Sequence, residues 1–159
     1  MQVALNALKT MQYSHHFLGI DQDGKCVVLE TRGNPYGHLI LRGGIQPNYD
    51  AQSVAESESE LKKANLPVNI IIDCSHGNSL KDYKNQPKVL DNCLCQIESG
   101  NDSIVGVMLE SNLNEGNQSM SSDLSSLKHG VSITDSCLSW EDTEQVLREA
   151  AERLRKLKK

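Results

Sequence analysis

Aromatic residues are scarce, at 4% of the chain, so any core must be filled by Val, Ile and Leu. Those side chains suit buried parallel strands. No apolar run approaches the roughly 18 residues that a membrane span needs, and the first residues lack a charged region followed by a long apolar stretch. Membrane insertion and secretion are therefore not expected, and the expected location is cytoplasmic. Basic stripes are also missing. The net charge is −5, and Lys and Arg cluster only at the last residues, which argues against nucleic acid as a partner.

The five cysteines (Cys26, Cys74, Cys93, Cys95, Cys137) are odd in number and have no framework spacing, which reads as reduced thiols. Cys93 and Cys95 form C-x-C within a helical stretch, but no second ligand pair stands nearby to make a zinc site.

What the 159 residues do contain is an alternation of strands and helices. Met1 to Met11 has helical spacing (Ala4, Leu5, Leu8, Met11) with no cap before it, as if a helix were entered partway through a longer fold. His15–Ile20 and Cys26–Thr31 are β-prone runs around an Asp-Gly turn, a β-hairpin. Gly37–Leu41, Pro67–Asp73 and Ser103–Leu109 read as buried strands, and Val131–Thr134 as a short further run. Helices are expected at Asp50–Ala64, Pro87–Ile97 and Trp140–Lys158. Ser139 is the expected N-cap of the last one, with Glu141 and Asp142 in its first turn and basic residues toward its end, as the helix dipole favours. Asn114–Gly130 is a polar stretch of a length that is usually functional or disordered. Strands alternating with helices predict a parallel α/β architecture.

The strand ends carry the chemistry. The expected strands run into Arg42, His76, Glu110 and Asp135, at intervals of 34, 34 and 25 residues, each a plausible βα unit. In parallel α/β folds the C-terminal strand ends share one face, where ligands bind. One imidazole and two carboxylates suit a divalent metal such as Mn²⁺, Fe²⁺, Co²⁺ or Zn²⁺. Arg42 followed by Gly43-Gly44 offers a planar cationic fork beside a backbone that an anion can approach, apt for phosphate or carboxylate. Singly each residue has an ordinary structural explanation; their joint placement at successive strand ends points to a metal-plus-anion site.

The strings HLILRGG-x-x-PNYD, IDCSHGNSLKDYKNQPKV, GVMLESNLNEGNQS and GVSITDSCLSWEDTEQVL go further. They resemble the C-terminal half of the microbial and fungal class I 3-deoxy-D-arabino-heptulosonate 7-phosphate (DAHP) synthases, from Met1 to Lys159 with few gaps. The resemblance implies an α/β fold, the C-terminal part of a (β/α)₈ TIM barrel, with an added β-hairpin at about 14–32 and barrel elements over about 37–159. It implies an aldol-type transferase of the shikimate pathway, joining phosphoenolpyruvate to erythrose 4-phosphate with release of inorganic phosphate. On this match His76, Glu110 and Asp135 are metal ligands, and Arg42 binds phosphoenolpyruvate. The hairpin matches a ribbon that contributes to an aromatic amino-acid inhibitor site, and Phe17 and Gly19 fall on it.

The family's fourth metal ligand (a cysteine), its KPRTT segment, a further phosphate-binding arginine and a strand-end lysine lie upstream in that pattern and have no counterpart here. A complete barrel takes about 250 residues. The isolated chain is therefore expected to have little or no synthase activity. A partial barrel also leaves sheet edges open, which predicts self-association as a homo-oligomer and offers a non-catalytic alternative. A related phosphoenolpyruvate-condensing synthase of an eight-carbon sugar acid fits the LRGG and SHGN contexts less well.

Overall fold

The computed structural model describes residues 1–157. Its centre is a three-stranded parallel sheet of β3 (Leu39–Leu41), β4 (Ile70–Asp73) and β5 (Ile104–Met108), in the order β3-β4-β5. Two earlier strands, β1 (His16–Ile20) and β2 (Cys26–Glu30), form a separate antiparallel hairpin. Asp21 makes the hairpin turn, its Oδ1 accepting from the backbone N–H of Asp23 at 2.9 Å and of Lys25 at 2.8 Å.

Helices α2 (Ala51–Lys63) and α3 (Gln86–Glu98) link successive strands of the parallel sheet. α1 (Gln2–Met11) precedes the hairpin, and α4 (Trp140–Leu157) packs on α3. Alternate strand residues point to opposite faces. Leu39, Leu41, Ile70, Ile72 and Ile104 are buried with Val54 and Leu61 of α2, Val89, Leu90, Cys93 and Leu94 of α3, and Leu5 and Leu8 of α1. The opposite face is open at Ile40, which is 44% exposed. β5 carries a bulge, Ile70 pairing with Ile104 and Ile71 with Gly106, and the extra residue, Val105, is 56% exposed.

The helix boundaries follow local chemistry. Asp50 caps α2, its carboxylate accepting from Ser53 N at 3.0 Å and Ser53 Oγ at 2.7 Å, and these bonds hold its pKa below the usual range. Ser139 caps α4 as expected: its Oγ accepts from Asp142 N at 3.1 Å and donates to Asp142 Oδ2 at 2.8 Å. Arg153 has a role beyond the helix dipole. Its guanidinium donates to both oxygens of Glu98 and to Asp91, tying α4 to α3. Lys158 and Lys159, which end the expected basic tail, lie outside the described residues. Glu58 similarly ties α2 to the start of β5, accepting from Ser103 Oγ at 2.6 Å and Asn101 Nδ2 at 2.8 Å. The Ser103 hydroxyl holds the Glu58 carboxyl below its ordinary pKa.

One expected strand is absent. Val131–Thr134 makes a single-residue bridge, Ser132 to Asn117, and the chain then bends through Ile133–Asp135. The long polar stretch takes up its hydrogen-bonding groups instead. Gln118 Nε2 donates to Val131 O, Gln118 N to Ser132 O, and Asn117 Nδ2 to Thr134 O. These side-chain amides compete with a ladder, so 114–130 is tied down and its partner segment stays irregular. Backbone pairing resumes at Cys137, which bridges Gly116, and at Leu138, whose N–H donates to Glu110 O at 2.9 Å.

The cysteines are all unpaired. Cys93 is buried and Cys95 exposed, so the C-x-C pair does not converge. The Cys93 thiol and burial push the Cys74 thiol well above its ordinary pKa, making it an inert core group.

Candidate metal and anion site

The three parallel strands end on one side of the sheet, and the loops after β3 and β4 are packed backbone against backbone. Gly43, just after β3, has φ +72°, and a Cβ there would stand 2.6 Å from both Gly77 C and Asn78 N of the loop after β4. Gly77 N donates to Arg42 O at 3.1 Å. Asn78 completes the join. Its side-chain amide donates to Leu41 O and Asp73 O, and its Oδ1 accepts from Asn48 N. A buried asparagine thus fixes the spacing between the Arg42 and His76 loops.

His76 sits in the left-handed region at φ +50°, a strained conformation for a residue with a Cβ. Its carbonyl is held there by Lys81 N at 2.9 Å and Ser79 Oγ at 3.2 Å. Asp73, the last residue of β4 and only 3% exposed, places its Oδ2 2.8 Å from His76 Nδ1. A carboxylate at that distance needs a proton on Nδ1. Nε2 of the neutral ring is then a free lone pair.

That nitrogen faces two carboxylates, Glu110 Oε1 at 3.4 Å and Asp135 Oδ2 at 3.5 Å. Glu110 is oriented in turn. Ser75 Oγ donates to its Oε2 at 2.7 Å, and the buried Gln86 clamps its backbone, accepting from Glu110 N at 2.8 Å and donating to Glu110 O at 3.1 Å. Asp135 comes from the bend that replaces the expected strand, and its side chain is 67% exposed.

His76, Glu110 and Asp135 each offer a ligand atom, all within 4.8 Å of one another, and they form the one such cluster among the described residues. One imidazole, two carboxylates and open positions fit a divalent metal ion. The Asp73–His76 hydrogen bond is the outer-shell contact that metal-binding histidines usually make. An Asp73→Asn chain is accordingly expected to bind Mn²⁺ about tenfold more weakly while keeping the three ligands, measurable by calorimetric titration.

Beside the cluster is a cavity of about 200 Å³, lined by Arg42, Gly43, Gly44, Ser75, His76, Gly77, Lys81, Asp135 and Ser136. Its lining brings together one carboxylate (Asp135), one imidazole (His76) and two cations (Arg42 and Lys81). A hollow of about 280 Å³ along α4, from Trp140 to Arg155, brings no ligand set together. Of the four residues read from the sequence, Arg42, His76 and Asp135 thus line one space, and Glu110 stands behind it against His76 Nε2. Phe17 and Gly19 lie on β1 and do not line it. Sequence reasoning missed Asp73, Ser75, Gln86 and Lys81. Asp73 was visible only as the last letter of a buried strand, and Gln86 as a polar residue before Pro87.

Residues 1–148 match the model of the DAHP synthetase I family. The chain is 50% identical over 149 residues to the Tyr-sensitive phospho-2-dehydro-3-deoxyheptonate aldolase of Salmonella typhimurium, covering 94% of this chain and 42% of that protein. It is 53% identical over 146 residues to the Tyr-sensitive aldolase of Enterobacter agglomerans, covering 92% of this chain and 68% of that sequence. Against the tyrosine-inhibited aldolase of Schizosaccharomyces pombe the identity is 48% over 157 residues, 96% of this chain and 42% of the relative. A solved phospho-2-dehydro-3-deoxyheptonate aldolase from Francisella tularensis superimposes with a TM-score of 0.88 at 42% identity, over 97% of this chain and 45% of that one. The chain therefore spans less than half the length of most of these relatives.

Proposed function

The chain belongs to the DAHP synthetase I family, and from that premise we propose that it carries the metal-binding and phosphoenolpyruvate-binding part of a DAHP synthase. The observation that supports this most is the convergence of His76 Nε2, Glu110 and Asp135 beside the Arg42 cavity. In this reading the residues form the C-terminal portion of a (β/α)₈ barrel, with 14–32 as an added ribbon and 37–159 as barrel elements, in a cytoplasmic enzyme of aromatic amino-acid synthesis.

The reaction joins C3 of phosphoenolpyruvate to the aldehyde carbon of erythrose 4-phosphate; water then adds at C2 and phosphate leaves. A divalent metal held by His76, Glu110 and Asp135, with Mn²⁺, Fe²⁺, Co²⁺ and Zn²⁺ as the candidates, supplies Lewis acidity toward the aldehyde oxygen when bound. This chain's own residues do the positioning. Asp73 keeps the proton on His76 Nδ1 and the lone pair on Nε2. Ser75 and Gln86 aim Glu110. Arg42 holds the anionic end of the enol phosphate, with Gly43 and Gly44 leaving the backbone open to it.

Phe17 and Gly19 are assigned to an aromatic amino-acid inhibitor site. The Salmonella and Schizosaccharomyces relatives are named as tyrosine-sensitive or tyrosine-inhibited, and an Enterobacter agglomerans relative as Trp-sensitive. Phe17 pairs across the hairpin with Leu29 and is 50% exposed, and a Cβ at Gly19 would collide with the Leu29 side chain. The open sheet face at Ile40, with Val105 and Met108 exposed on β5, supports a further reading in which copies of the chain associate.

The test of the main reading is a mixing assay. The purified chain alone is expected to show no condensation of phosphoenolpyruvate with erythrose 4-phosphate. Adding a polypeptide that supplies the part of the Salmonella relative not covered by this chain should restore activity, and a His76→Ala chain should not. Full activity from the chain alone, or equal activity from the His76→Ala mixture, would overturn the reading.

A further inference from the structure

Lys81 is the residue at the site that neither the strand-end pattern nor the metal cluster accounts for. It lies in the loop after β4, five residues beyond His76, and its backbone is left-handed at φ +61°, directly after Leu80 at φ +56°. Consecutive left-handed residues that both carry a Cβ are unfavourable. Here they are held by a run of loop hydrogen bonds: Leu80 N to Gly77 O, Lys81 N to His76 O, and Asp82 N to Ser79 O. The same loop geometry that strains His76 therefore also turns Lys81 back onto the cavity that Arg42 lines from the β3 side.

Neither cation is neutralised. Among the described residues, no carboxylate forms an ion pair with Arg42 or Lys81, although other Lys and Arg side chains are so paired. The acidic groups that border the cavity, Asp135 and beyond it Glu110, are turned toward His76 Nε2. Two cations on separate loops, neither ion-paired among the described residues, line with His76 and Asp135 a space of about 200 Å³, a recess that suits a small dianion.

We propose that Lys81 is a second cationic contact for the anionic group that enters the Arg42 cavity, so that the bound phosphate or carboxylate bridges the loops after β3 and β4. This rests on the synthase reading and adds to it a binding residue and a reason for the strained loop. Lys81 supplies a compact point charge and Arg42 a planar fork, a combination that grips a phosphate from two directions.

The test uses the full chain loaded with Mn²⁺ and titrated separately with phosphoenolpyruvate, inorganic phosphate and pyruvate, by calorimetry or by shifts of backbone amide resonances. Lys81→Gln is expected to weaken phosphoenolpyruvate binding about tenfold, with an unchanged urea unfolding midpoint, and Lys81→Arg to keep affinity within about twofold. A loss confined to the inorganic phosphate arm places Lys81 at the phosphate end; a loss confined to pyruvate places it at the carboxylate end. Unchanged affinity of Lys81→Gln in all three arms, with Arg42→Ala clearly weakened, overturns the inference and leaves the synthase reading standing. If Arg42→Ala is also without effect, or the parent chain binds none of the three, both fall together.

Discussion

Replacing His76 with alanine is expected to lower the affinity of the chain for Mn²⁺ on the order of 100-fold or more. In the proposed site three residues share the metal, so each carries a large share of the binding, and His76 is the one on which the other two converge. Glu110 Oε1 and Asp135 Oδ2 approach its Nε2 at 3.4 and 3.5 Å. Removing the imidazole leaves two carboxylates without the ligand between them and takes from Asp73 Oδ2 its His76 partner. Loss of an outer-shell partner alone costs about 10- to 100-fold, so loss of the ligand itself must cost at least as much. Calorimetric titration of parent and His76→Ala chains with Mn²⁺ reads this directly. Affinity within threefold of the parent would mean that the metal, if bound, lies elsewhere.

Gly43→Ala should be the most destabilising small substitution at the site, costing about 2–5 kcal/mol. Two costs add. The backbone at Gly43 is left-handed at φ +72°, which any residue with a Cβ resists. The new methyl would also stand 2.6 Å from Gly77 C and Asn78 N, and backbone atoms cannot move aside as a flexible side chain can. Relief requires the loops after β3 and β4 to separate, which breaks the Asn78 hydrogen bonds to Leu41 O and Asp73 O. Gly44 is the internal control. Among the described residues, no heavy atom beyond its own chain neighbours lies within 4 Å of its added Cβ, and Gly44→Ala is expected to stay within about 0.5 kcal/mol of the parent. Urea unfolding of the two variants separates the accounts, since equal midpoints would show that the close loop contact is not maintained in solution. A weaker metal affinity in Gly43→Ala should accompany its lower stability, because the loop after β4 that the new methyl would push away carries His76.

The parts of this site that could be read from sequence share a physical origin. Arg42, His76 and Glu110 follow short apolar runs, and parallel strands joined by helices put their C-terminal ends on one face. Residue type and interval were therefore enough to bring them together without knowing a single contact. Asp135 was reached by the same rule for an imperfect reason. Its Val131–Thr134 run is not a strand, because the amides of Asn117 and Gln118 satisfy the backbone first, yet the bend still delivers the carboxylate to His76. The helix starts were legible because Asp50 and Ser139 cap by local hydrogen bonds.

What could not be read depends on contacts between distant segments. Gln86 matters because the backbone of Glu110, 24 residues on, lies within reach of both ends of its amide. Asp73 looks like the end of an apolar strand until His76 Nδ1 is found 2.8 Å away. Lys81 has no sequence signature, since left-handed backbone at a lysine follows from the closing hydrogen bonds of its loop and not from its own preference. The same distinction explains why the family was legible and the activity of the chain is less so. The site residues lie within it, whereas the chain covers 42% of the Salmonella relative.

The central claim is that one metal ion is held by His76, Glu110 and Asp135 next to an anion recess. Anomalous diffraction from crystals of the chain soaked in Mn²⁺ and phosphoenolpyruvate tests it most directly. The account predicts one manganese peak bonded to His76 Nε2, Glu110 and Asp135, with the anion density against Arg42. A manganese peak bonded to none of these three residues, or no peak at a concentration that saturates binding in solution, would contradict it.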